Sequence, residues 1–240
     1  MKVSCVLPIH NEAKYLRYSL PTLLKSPFHE IIIVLDRCVD DSKHIVEAYA
    51  DDRFTIVLKT RASWKNRCAE AKHVGCSNAD GDLIFFSDAD IILDLKAVEK
   101  ALRLFKRHTQ LEVVVFSYKQ YTLDGSIFQR IRDKWVNLAT GISRKTNIQP
   151  KHTGIYLIKK SLAKITDHPS EYDVVQQKTK LIHIETNTLH LRPGYSKQKQ
   201  IGRGKARMVL PQYNFLKILL STIIGLQPYM LTSYLMETSK

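Results

Sequence analysis

Cysteine is scarce in this chain, four in 240 residues, and Cys5, Cys38, Cys68 and Cys76 show neither a C-x-x-C pair nor a Cys/His ligand spacing. A disulfide framework is therefore excluded, and reduced thiols in a cytosolic setting are the simplest reading. The opening Met1-Lys2-Val3-Ser4-Cys5 runs straight into a strand-like segment, so no secretory signal is expected there. No internal repeat and no low-complexity linker interrupts the chain. Acidic residues are missing altogether from Thr186 to Met236. Over that span Arg192, Lys197, Lys199, Arg203, Lys205, Arg207 and Lys217 supply seven positive charges, half of the net +14. The last nineteen residues of the span, Ile218–Met236, carry no charge at all. A basic segment followed by an apolar one favours a membrane surface over nucleic acid.

Against that background the first half reads as alternating strand and helix. Val3–Ile9, Glu30–Leu35, Phe54–Lys59, Asp82–Phe86 and Glu112–Ser117 are near-continuous apolar runs of strand length. Between them Glu12–Lys25, Asp41–Ala50, Asn66–Asn78 and Asp94–His108 carry helical spacing. Strands of this kind are covered by helices on both faces, and repeated β-α-β predicts a mostly parallel sheet with right-handed crossovers. The second half is less regular. Ser126–Ala139 reads as a helix with Trp135 and Leu138 on an apolar face, and His152–Ile158 as a strand. Val174–Lys180 reads as a short helix, and Leu181–Leu191 as one or two more strands.

The chemistry-bearing stretch is Gly81-Asp82-Leu83-Ile84-Phe85-Phe86-Ser87-Asp88-Ala89-Asp90, a strand-length apolar run ending in two carboxylates at i and i+2. On extended backbone those side chains share one side. In parallel α/β sheets, ligands sit outside the carboxyl ends of the strands, where this pair falls. Two oxygen donors with room for water and phosphate suit Mg²⁺ or Mn²⁺. The alternative is a turn or helix N-cap after a buried strand.

These segments, in this order, resemble a family 2 glycosyltransferase of the glycosyltransferase-A fold over roughly residues 3–95. Val6-Leu7-Pro8-Ile9-His10-Asn11-Glu12 resembles the family's first strand and its Pro-x-x-Asn-Glu motif. Ile31 to Ser42 resembles its second strand and acidic loop, with Leu35 in place of the first of two acids. Ala69-Glu70-Ala71-Lys72-His73-Val74-Gly75 resembles the helix before the D-x-D. More loosely, Thr153–Ile158, Ser170–Asp173 and His190 fall where the family has its Gly loop, acidic motif and C-terminal His.

The resemblance implies a nucleotide-sugar donor. Pro8, His10 and Glu12 would meet the nucleoside, and Asp36 would accept hydrogen bonds from the base, unless it caps the following helix. Lys72, at a position that is usually Arg, would face the nucleotide or else a solvated helix face. Asp88 would sit near ribose and metal, Asp90 would bind the metal directly, and His190 would add a metal or phosphate ligand or be a plain surface residue. For the general base the resemblance points to Glu171, with Asp173 second; the other reading is a helix N-terminus capped by Ser170. Arg203 would close over the diphosphate.

The expected architecture is α/β, a single glycosyltransferase-A type domain over 1–204 with a basic, apolar tail at 205–240. Residues 1–120 form its nucleotide-binding half and 121–204 its acceptor half. The Gly-rich phosphate loop of a nucleotidyltransferase is missing, since Pro8-Ile9-His10-Asn11 stands in its place. The expected activity is metal-dependent, inverting transfer of a sugar to a membrane-proximal glycolipid or surface glycan. The alternatives are transfer to a polyprenyl phosphate, and a non-catalytic basic module that binds membrane or nucleic acid. The tail is expected to hold the protein peripherally on an anionic membrane at its cytoplasmic face, the other reading being a span by Ile218–Met236, and no nucleic-acid partner is expected.

Overall fold

The computed structural model describes residues 1–49, 51–123, 125, 127–146, 154–163, 165 and 180–191, and within the last long helix it leaves out the side chains at 128, 132 and 139–146. The expected helix at 174–180 and the tail at 205–240 lie outside the described residues, apart from Lys180. The chain divides into two compact units, Met1–Lys119 with Lys151–Leu189, and Gln120–Pro150 with His190–Lys240.

The first unit carries the sheet. Its strands are β1 (Val3–Ile9), β2 (Glu30–Asp36), β3 (Phe54–Lys59), β4 (Leu83–Phe86), β5 (Ile91–Ile92) and β6 (Val113–Phe116). The helices among them are α1 (Ala13–Leu24), α2 (Ser42–Tyr49), α3 (Arg67–Ser77) and α4 (Leu95–Arg107). Then come β7 (Lys119–Gln120), α5 (Ile127–Thr146), β8 (Tyr156–Lys159), β9 (Leu181–Ile184) and β10 (Leu189–His190). Seven strands form one sheet in the order β3-β2-β1-β4-β8-β6-β9. β1, β2, β3 and β4 pair in parallel, β8 runs antiparallel to both β4 and β6, and β9 is parallel to β6. The expectation of a mostly parallel sheet therefore holds, with β8 as the reversed strand.

The side-chain alternation of the strands sorts the core into two layers. Leu7 and Ile9 of β1 with Ile31 and Ile33 of β2 pack against Leu16 and Leu20 of α1, Val46 of α2, and Val98 and Phe105 of α4. Val6, Ile32, Val34, Ile84 and Phe86 face the other way, onto Ala71 and Val74 of α3. Each such buried side chain contributes roughly 1.5–3 kcal/mol over its exposed state. Gly75 lets α3 settle this close, because a Cβ there would lie 2.3 Å from Val6 Cγ1. Asn66 and Asp94 cap α3 and α4, accepting from the Ala69 and Ala97 N–H groups at 3.1 and 3.3 Å. Inside α1, Pro21 donates nothing to the Arg17 carbonyl, and the Tyr49 hydroxyl reaches that oxygen at 3.4 Å.

Two expectations are revised. β3 is not covered on both faces: it is the edge strand, and Ile56 and Leu58 are 38% and 59% exposed. The helix expected over 126–139 runs from Ile127 to Thr146, and the apolar face that carries Trp135 and Leu138 is exposed to solvent. The four cysteines are free. Burial pushes the Cys5 thiol up and the Cys76 thiol to about 12, so neither supplies a thiolate near neutral pH.

Candidate functional site

From β1 the chain steps to β2 and β3 on one side, then returns to place β4 on the other. In a parallel sheet this reversal leaves a crevice at the carboxyl ends of the two central strands, the usual place for a ligand. His10, Asp36 and the Asp88/Asp90 pair follow or end β1, β2 and β4, so strand order alone brings them to one rim.

At the β2 end, Asp36 is 3% exposed and its carboxylate lies within a cluster of charges. Arg37 Nε and Nη2 donate to its two oxygens at 2.7 and 2.5 Å, and Lys59 Nζ donates to Oδ1 at 3.2 Å. The Lys59 ammonium also lies 2.9 Å from Glu70 Oε2, while Glu70 Oε1 accepts the Ser63 N–H at 2.8 Å. Burial works to raise the Asp36 pKa, but Arg37 and Lys59 outweigh it and hold the carboxyl below its ordinary range. Glu70 is lowered in the same way, with Lys59 and the Ser63 and Trp64 N–H groups overcoming the effect of burial. Arg37 adopts a positive φ of 49°, a conformation that costs a side-chain-bearing residue about 1–2 kcal/mol. The bidentate pair to its neighbour offsets that strain.

The helix-capping alternative for Asp36 does not hold. Its carboxylate is taken by Arg37 and Lys59, and the acid that accepts backbone N–H groups ahead of α2 is Asp40, Oδ1 from Ser42 at 3.1 Å and Oδ2 from Ala13 at 3.0 Å. Pro8 is half-buried in β1, and the exposed His10 ring packs back through Nδ1, 2.6 Å from the Asp36 carbonyl. Glu12 is buried where α1 begins, and its N–H donates to Ser42 Oγ at 2.9 Å.

At the β4 end, Asp90 is 3% exposed, and the Asp88 side chain is 36% exposed. Lys72 is not on a solvated helix face. It is 1% exposed, its Nζ lies 3.9 Å from Asp88 Oδ1 and 5.9 Å from the Phe86 ring centroid. One buried and one partly open carboxylate provide hard oxygen donors and space for further oxygens, a set that fits Mg²⁺ or Mn²⁺. Among the described residues no group of three or more His, Cys, Asp or Glu gathers to hold a metal. Donor phosphate and water oxygens would have to complete the shell.

Gly154 closes the other side of Asp88: a Cβ there would lie 2.7 Å from Oδ2. Gly154→Ala is therefore expected to push the carboxylate off its position. Misplacement on that scale costs about 100-fold in turnover, while the unliganded melting temperature moves by less than about 2 °C. Steady-state kinetics beside a thermal melt checks both parts.

His190 belongs to the second unit, where it is half-buried and its carbonyl accepts the Tyr121 N–H at 2.9 Å. Glu171, Asp173 and Arg203 lie outside the described residues. Arg37, Lys59 and Glu70 went unread in the sequence. The only signal was Lys59 ending β3 as Asp36 ends β2, which requires the β2–β3 register that pairs the two residues.

Residues 4–166 match the family described as Glycosyl transferase family 2, and the chain belongs to that family. Glycosyltransferase GlyG of Streptococcus pneumoniae serotype 4 is 30% identical over 131 residues, 52% of this chain and 42% of that protein. The match thus spans less than half of that relative. Among solved structures, S. aureus TarS 1–349 superposes with a TM-score of 0.57 at 14% identity, covering 98% of this chain and 71% of that one. Glucosyl-3-phosphoglycerate synthase from Mycobacterium tuberculosis, solved with Mn²⁺, UDP and glucosyl-3-phosphoglycerate, gives 0.57 at 16% identity, covering 87% and 79%. At such identities the likeness is one of fold, and the fold is of the glycosyltransferase-A type.

Proposed function

We propose that this protein is a metal-dependent, inverting glycosyltransferase that moves a sugar from a uridine diphosphate donor to a glycolipid or glycan acceptor at a membrane surface. The observation that carries the reading is the arrangement of Asp36 and the Asp88/Asp90 pair at the ends of β2 and β4, on either side of β1. Uridine is favoured by the UDP complexes of the fold neighbours and by a buried carboxylate suited to accept from an imide N–H.

In this reading Pro8 and His10 line the nucleoside, and Glu12 steadies the start of α1 beneath it. Asp36 receives the base, with Arg37 and Lys59 keeping it ionised at neutral pH. Asp90 and Asp88 hold Mg²⁺ or Mn²⁺, which when bound neutralises charge on the leaving diphosphate. Lys72 fixes the Asp88 carboxylate. The acceptor hydroxyl attacks the anomeric carbon from the face opposite the diphosphate, the bond from that carbon to the phosphate oxygen breaks, and the hydroxyl proton passes to Glu171, with Asp173 the second candidate. A peripheral position at the cytoplasmic face fits the uncharged run Ile218–Met236 and the basic residues before it. No helix among the described residues is long and apolar enough to cross a membrane.

Thermal unfolding with UDP-, GDP-, CMP- and dTDP-sugars, with and without Mn²⁺, tests the donor assignment. At ligand about 100-fold above Kd the stabilisation is about 2.7 kcal/mol, or roughly 5–10 °C for a chain of this size. That shift is expected for a UDP-sugar with Mn²⁺ alone. An equal shift without metal, or with another base, overturns the corresponding part of the reading.

A further inference from the structure

Helix α5 is amphipathic, and its polar face is the one attached to protein. Asp133 Oδ2 accepts the Thr122 N–H at 2.6 Å. Asn137 accepts the Gln120 N–H at 2.7 Å and returns a bond from Nδ2 to the Gln120 carbonyl at 2.9 Å. Across the helix from that pair, Ile127, Ile131, Trp135 and Leu138 fall at i, i+4, i+8 and i+11, one continuous stripe. They are 76%, 60%, 56% and 58% exposed. Exposed Arg130 and Lys134 border the stripe, and Asp133, the helix's single acid, is buried on the opposite side. Four large apolar residues aligned on one helix face and left in water mark an interaction surface.

We propose that this face of α5 rests on an anionic lipid bilayer, with Ile127, Ile131, Trp135 and Leu138 at headgroup depth and Arg130 and Lys134 against lipid phosphates. Charge selects the occupant. A second copy would bring the same cations against Arg130 and Lys134. The segment 192–236 of this chain offers them no carboxylate either, since Asp and Glu are absent from Thr186 to Met236. An anionic surface complements them, and Trp beside Arg and Lys is the composition of a helix lying in a membrane interface. At 20 residues α5 is long enough to span, but Arg130, Asp133 and Lys134 in its first half keep it on the surface. The inference deepens the membrane-proximal part of the proposed function and rests on it for the acceptor's location. It also moves membrane contact from the tail alone to a helix of the folded protein.

Vesicle flotation of the full chain tests it without any donor, so it fails or succeeds separately from the donor reading. Vesicles of phosphatidylcholine alone are compared with vesicles holding about 30% phosphatidylglycerol, at about 0.1 M salt where charges act over about 10 Å. The protein is expected to float with the anionic vesicles, and Ile131→Glu with Trp135→Glu to reduce binding on the order of tenfold or more. Arg130→Gln with Lys134→Gln should weaken the preference for anionic lipid and flatten its salt dependence. The chain has two tryptophans, so Trp64→Phe leaves Trp135 as sole reporter, expected to shift to the blue and to be quenched by brominated lipid. An unchanged circular dichroism spectrum and unliganded melt for the double-Glu variant show that it is folded. Flotation of that variant equal to the parent, unchanged Trp135 emission while the parent floats, or no flotation of the parent at all overturns the proposal. So does a parent dimer that the double-Glu change dissociates, because a second copy then covers the stripe.

Discussion

Asp90→Ala is expected to abolish the Mn²⁺-dependent stabilisation by donor and to lower turnover by at least about a thousandfold. The carboxylate is 3% exposed and lies in the turn that follows β4, two residues after Asp88. Removing it leaves Asp88 as the remaining acid of the pair, and Asp88 is already shared with Lys72 at 3.9 Å. One shared carboxylate cannot hold a divalent cation against water, so the metal-linked part of donor affinity disappears. A melt without ligand reports separately whether the variant is folded. A melt with UDP-sugar and Mn²⁺ that shifts as in the parent would show that the cation, if used, is held elsewhere.

Lys59→Met carries the largest expected effect on stability. The ammonium bridges Asp36 at 3.2 Å and Glu70 at 2.9 Å, and its side chain is 9% exposed. Taking one partner from a buried charge cluster leaves carboxylates uncompensated, at a cost of about 3 kcal/mol. For a chain of this length that lowers the melting temperature by roughly 6–12 °C at neutral pH. Glu70→Gln added to Lys59→Met should restore much of the loss, because the unpaired charge goes with it. The pH dependence follows from the direction of the shifts. Asp36 and Glu70 have folded pKa values below their unfolded ones. Their stabilisation is fully present above the ordinary carboxylate range near pH 4 and is lost as pH falls through the lower folded values. The parent should therefore lose melting temperature steeply below about pH 4, and Lys59→Met should lose less over the same interval. Identical acid profiles would remove Lys59 as the cause.

Much of the site's framework is visible in one dimension because buried parallel strands need unbroken apolar runs. β1 and β3 match their expected limits, and β2, α3 and α4 begin or end within a residue of them. Asn66 and Asp94 signal helix starts by themselves, as caps do. Lys59 and Glu70 were illegible for a different reason. They meet Asp36 only through the β2–β3 register and the return of α3, and neither lies near Asp36 in sequence. Lys72 was undecidable from helical phase because its neighbours Ala69, Ala71 and Gly75 are small, and small residues suit a surface as well as a tight contact. Val6 beneath Gly75 decides it, since α3 sits too close to the sheet to leave that side chain in water.

The succession of strands and helices along the first half of the chain, and the positions of Asp36 at the end of β2 and of Asp88 and Asp90 just beyond β4, were determined by the sequence, through local periodicity and the need to bury apolar runs. Which charges compensate Asp36, which residue closes on Asp88 and which face of α5 is left in water were decided by tertiary structure. The physical reason is range. Backbone propensity and side-chain alternation act over a few residues, whereas Coulombic pairing, close packing and solvent exclusion depend on neighbours brought together from distant parts of the chain. Trp135 shows the difference: its spacing with Leu138 declares an apolar stripe, and only the Asp133 and Asn137 bonds to residues 120–122 turn that stripe outward.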